Sequence, residues 1–104
     1  PRKYYDNVVG IYVNEELPVV NLKIRVYGVQ TEYMRMLPLH KSQREGASKY
    51  GEFAEFSYRV CLTPELKSKI LALGSDVEVL EPAEYREEIK KEISASLDRY
   101  MKKE

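Results

Sequence analysis

Tryptophan is absent from this 104-residue chain, which also has only one cysteine and one histidine. A lone Cys61 closes no internal disulfide and builds no thiolate cluster. His40 has no cysteine, second histidine or carboxylate at ligand spacing, so it does not read as a metal site. An excess of one charge is lacking too. Lys+Arg and Asp+Glu stand at 17 each, so no global field draws the chain to nucleic acid or membrane, and such binding needs a local patch. No apolar run approaches the ~20 residues that span a bilayer, and no charged-then-apolar signal segment opens the chain. The expected setting is a reducing cytoplasm, with no membrane partner and no cofactor.

What is there fits one domain with one hydrophobic core. The start at Pro1, in a charged segment bearing Tyr4 and Tyr5, reads as a piece cut from a longer protein. Residues 1–18 then form a linker or remnant strand, with Val8, Val9, Ile11 and Val13 seeking cover from a second copy of the chain. Residues 19–104 form the domain proper. Val20, Leu22, Ile24 and Val26 alternate with Asn21, Lys23, Arg25 and Tyr27, which predicts a strand over 19–27. Val29 to Leu37 reads as a short helix burying Val29, Tyr33 and Met36 or Leu37. Leu39 to Arg44 should be extended, and Gly46 to Gly51 a loop. A second strand over 53–62 turns Ala54, Phe56, Tyr58, Val60 and Leu62 to the core, with Glu55, Ser57, Arg59 and Cys61 opposite. Thr63 and Pro64 are the N-cap and first residue of a helix, which Gly74 closes at positive φ. Asp76 to Leu80 is a further strand. Pro82 opens a last helix, whose seam of Tyr85, Ile89, Ile93, Leu97 and Tyr100 runs to about Met101. Its outer end exceeds what a small sheet needs and is available to a partner.

The order β-α-β-β-α-β plus a terminal helix is the split βαβ, or ferredoxin-like, arrangement in the α+β class. Its sheet is antiparallel, with helices on one face.

The polar candidates each carry two readings. His40, Lys41, Ser42, Gln43 and Arg44 are either an anion-contacting edge or, as we favour, a junction in which His40 and Gln43 satisfy backbone groups. Lys23, Arg25 and Arg59 make an anion-binding surface, tempered by Glu55 and Glu78, if their strands are neighbours, or a solvated or partner-facing sheet, the reading preferred here. Strand aromatics facing solvent would stack bases in an RNA-binding module, but Phe56 and Tyr58 read as core. Cys61 lacks an adjacent base and reads as inert. Glu84, Glu87, Glu88 and Glu92 lie among lysines, not isolated as general acid–base work requires.

Three segments resemble one family. PLHKSQ (Pro38 to Gln43), LALG (Leu71 to Gly74) and DVEVLEPAEYREEI (Asp76 to Ile89) look like the C-terminal extension, of WCX type, of WYL-domain bacterial transcriptional regulators. The matching positions are His40, Ser42, Gln43, Gly74, Val77, Val79, Pro82 and Tyr100. YYDNVVGIYV (Tyr4 to Val13) resembles the linker leaving the WYL barrel. The Trp-Tyr-Leu barrel and the winged helix are not in these residues, so roles carried by those parts cannot be assigned to them. The resemblance implies a non-enzymatic regulatory and dimerisation module. It would form a homodimer, with Ile89, Ile93, Leu97, Tyr100, Val9 and Ile11 as interface residues. It would relay a nucleotide or nucleic-acid effector, bound at the barrel, to DNA held by other domains. The alternative, from another class, is a direct nucleic-acid or small-anionic-ligand binding module using His40 to Arg44, Lys23, Arg25 and Arg59.

Overall fold

A computed structural model describes residues 17–102, and the expected strand over Val8 to Val13 lies outside them. The elements are β1 (Val19–Tyr27), α1 (Gln30–Met36), β2 (Arg44–Lys49), β3 (Phe53–Cys61), α2 (Pro64–Ala72), β4 (Val77–Glu81) and α3 (Ala83–Met101). They build one four-stranded sheet in the order β2-β3-β1-β4, and every described pairing is antiparallel. This is the ferredoxin-like arrangement that the element order implies.

Alternation decides which way the sheet faces. Leu22, Ile24 and Val26 of β1, Ala54, Phe56, Tyr58 and Val60 of β3, and Val79 of β4 are buried on one face. Met34 of α1, Leu66 and Ile70 of α2, and Tyr85 and Ile89 of α3 close over them. β1 and β3 pair along nine residues, from Val19↔Cys61 to Tyr27↔Phe53. That pairing puts two apolar stripes side by side in the middle of the sheet.

Local chemistry sets the ends. Gly28 stands at φ 62° and Gly74 at φ 63°, a region that L side chains avoid. Gly28 turns the chain from β1 into α1, and Gly74 ends the helical segment before β4. Thr63 Oγ1 accepts from the Leu66 N–H at 3.2 Å, and Pro64 opens α2. That N-cap is as the sequence predicts.

Four local expectations are corrected. α1 buries Thr31 and Met34, while Val29, Tyr33, Met36 and Leu37 are exposed. The Thr31 hydroxyl donates to the Gly28 carbonyl, which turns that side of the helix inward. Leu39 to Gln43 is a tight turn rather than an extended segment, and the strand lies at Arg44–Lys49, across most of the expected loop. Every residue of that strand is exposed, so it carries no apolar alternation to announce it. Pro82 sits one residue before α3, as its N-cap, and its carbonyl accepts from the Arg86 N–H at 3.0 Å. Asp76 belongs to a short 3-10 turn, Gly74–Asp76, ahead of β4.

Candidate interaction surfaces

The turn between α1 and β2 is a fastening. Gln43 Oε1 accepts from the Tyr58 hydroxyl at 2.6 Å and from the Leu39 N–H at 3.1 Å, and Gln43 Nε2 donates to the Met34 carbonyl at 2.9 Å. One amide thus ties the end of α1, the turn and the core strand β3 together. His40 Nδ1 accepts from the Ser42 N–H at 3.1 Å and lies 2.8 Å from Ser42 Oγ. Ser42 Oγ accepts in turn from the Arg59 N–H at 3.0 Å. His40, Ser42 and Gln43 are therefore spoken for by backbone and by Tyr58. Lys41 projects from the same turn, and Arg44 begins β2. Burial pushes the Tyr58 phenol well above its ordinary value, so it stays a donor.

The sheet face opposite the core holds the other candidates. The register sets Arg25 against Glu55, Lys23 against Ser57, and Asn21 against Arg59. Lys23, Arg25 and Arg59 do share one face, as neighbouring strands require. They are not equivalent. Arg25 donates twice to Glu55 Oε2, at 3.0 and 2.5 Å, and lies 4.2 Å from the centre of the Phe53 ring. That charge-assisted pair raises the guanidinium's pKa. Glu55 is buried although it faces away from the core. Arg59 Nη1 donates to Asn21 Oδ1 at 3.1 Å.

Towards β4 the face is closed by a second acid. Glu78 accepts from the Tyr27 hydroxyl at 2.7 Å and from Arg86 Nη1 at 2.7 Å. The Tyr27 hydroxyl first, and Arg86 second, hold the Glu78 carboxyl below its ordinary value of 4.5. A carboxyl lowered on folding adds stability above its unfolded value and loses it as pH falls through the folded one. Below pH 4.5 the unfolded chain binds the extra proton, so stability rises with pH across that window. Glu45, lowered by Arg35, acts in the same sense. Glu78→Gln is expected to cost more stability at about pH 7 than at about pH 3, read by urea unfolding at both. An equal loss at both would show that the carboxylate's charge is irrelevant there.

The third surface is α3. Tyr85 and Ile89 are core, and burial pushes the Tyr85 phenol up to about 12. Beyond them Ile93, Leu97 and Tyr100 are 52%, 56% and 86% exposed. Lys67 of α2 braces the helix by reaching Glu88 and Glu92 at 2.9 and 3.2 Å. Beside the seam runs a groove of about 600 Å³, floored by Ile70, Leu71, Val77 and Val79 and walled by Ile89, Ile93 and Leu97. Val9 and Ile11 lie outside the described residues.

Residue types alone name Glu55 and Glu78 as acids that temper the open sheet face and put Ser57 on it, but they do not point to Tyr58 or Tyr27 as hydrogen-bonding partners. Only the strand register brings them to their partners. Cys61 is fully buried, and burial pushes its thiol up and away from the reactive thiolate. Among the described residues no group of three or more His, Cys, Asp or Glu could hold a metal ion. Among them also, no helix is long and apolar enough to cross a membrane.

Fold and surfaces together define a small α+β module that offers faces for contact. The chain matches the WCX domain family over residues 18–97 and belongs to it, as the WCX domain of a WYL-type regulator. No curated protein matches it.

Proposed function

We propose that this chain is a non-enzymatic module of a WYL-type transcriptional regulator, joining two copies of the protein and relaying effector binding to a DNA-binding domain elsewhere in it. Residues 1–18 connect it to a preceding barrel. A nucleotide or nucleic-acid fragment bound at that barrel would shift packing against this domain and so change the spacing of the DNA-binding parts. The module works in the cytoplasm, where such regulators meet DNA.

The observation that carries this reading is the seam of α3. From Ile93 onward it leaves the core but keeps apolar residues at i, i+4 spacing beside an apolar groove. An exposed apolar patch of this kind marks a protein contact. Light scattering on a sizing column is expected to give a dimer at tens of micromolar chain. Ile93→Asp with Leu97→Asp should give a monomer whose melting temperature stays within a few degrees. A wild-type chain that runs as a strict monomer would remove the dimer from this reading.

A further inference from the structure

We infer that each groove beside α3 is filled by the outer end of the partner's α3, the two helices running antiparallel about a two-fold axis at Ala95. This rests on the dimer reading above and adds where the second copy sits.

The chain covers α3 only as far as Ile89. Every residue from Lys90 to Met101 is exposed, although the helix runs on for about 18 Å past Ile89. A helical stretch of about a dozen residues is marginal in water unless its apolar face is packed. Ile93, Leu97 and Tyr100 fall within about 60° of one another around the axis, so they form a single stripe. Lys90 and Ser94 border that stripe on the side of the groove, which they line together with Ile93 and Leu97. One chain therefore carries a projecting stripe and a hollow side by side.

One approach of a second copy serves both. Antiparallel helices centred on Ala95 set Ile93 level with the partner's Leu97. They also set Lys90 beside the partner's Tyr100 and the partner's Met101. A two-fold axis makes every contact twice, so each outer end reaches back into the other copy's groove, over Val77 and Val79. A parallel approach sets outer end against outer end and leaves the inner part of both grooves empty. Charge favours the antiparallel arrangement. Arg86 and Lys90 line the groove, and Glu78 holds Arg86. Lys90 then meets the ring of the partner's Tyr100, a cation–π contact. Lys91, Glu92, Asp98 and Arg99 turn away from the stripe, so their like charges do not meet across the axis. Ser94 and Ser96 are small and flank the centre, which lets the helix axes close to about 8–10 Å.

The test is disulfide trapping, with each chain also run on the sizing column. Lys90→Cys and Met101→Cys chains are mixed under reducing conditions and then oxidised by air. The mixture is expected to give a covalent dimer, and neither chain alone should. Antiparallel pairing holds like positions about 15 Å or more apart along the axis, beyond the about 7 Å that a disulfide allows between Cα atoms. Cys61 is buried and links nothing in wild type. Ser75→Arg changes an exposed groove residue that lies off α3. It should weaken the dimer about tenfold or more by overfilling the groove, with the melting temperature within a few degrees of wild type. A covalent dimer from Lys90→Cys alone would mean parallel helices. A dimer that the mixture does not trap, or that Ser75→Arg leaves unchanged, would overturn the filled groove while the dimer itself stands. A wild-type chain that is a strict monomer removes both.

Discussion

Gln43→Ala is expected to lower the free energy of unfolding by about 3 kcal/mol. The substitution removes three hydrogen bonds, to Tyr58, Leu39 and Met34, each worth about 1 kcal/mol net. It also strands the hydroxyl of Tyr58, a buried residue of the core, and an unpaired buried donor costs about 1–3 kcal/mol. Collapse of the turn onto the gap returns part of that. Tyr58→Phe should recover some of the loss in the Gln43→Ala background, because it deletes the orphan. The double variant is then less damaged than the two single losses summed. Urea unfolding followed by circular dichroism reads all four chains. A loss below about 1 kcal/mol for Gln43→Ala would mean that water takes over the amide's contacts.

Ile89→Ala should cost about 3 kcal/mol in the monomer, and Leu97→Ala should stay within about 0.5 kcal/mol. The two residues share one seam but not one environment. Ile89 packs in the core with Val79 and Ile70, and truncation there leaves a cavity. Leu97 is half exposed and gives up little to solvent in a single chain. Measurement in the Ile93→Asp background, at a chain concentration where a sizing column gives a monomer, isolates the monomer term. If Leu97→Ala cost as much as Ile89→Ala there, the outer end of α3 would be packed against its own chain.

Much of the fold was legible because the core strands announce themselves. β1 and β3 alternate cleanly, and Thr63, Pro64 and Gly74 mark the limits of α2. What misled was apolarity without burial. Val29, Tyr33, Met36 and Leu37 look like a helix face, yet Thr31 and Met34 turn inward because the Thr31 hydroxyl finds the Gly28 carbonyl. Most of β2 reads as a loop because REGASK has neither alternation nor β-branched residues; pairing with β3 and the Arg35–Glu45 ion pair from α1 hold it in place. Among the polar candidates, the fastening role of His40 and Gln43 was readable, but the partner Tyr58 was not. Glu55 reads from the sequence as an acid that tempers Arg25, but only the register sets the two directly opposite each other. A pairing of residues thirty positions apart has no local trace.

The outermost strand has a further consequence. Its pairing with β3 slips between Glu45 and Ser48, and it is flanked by Arg44, Glu45 and Lys49. A kinked, charged rim of this kind is a poor template for another chain's backbone. Growth of the sheet into fibres is discouraged at that side, and the large exposed apolar side chains are carried by helices and turns instead of by this rim.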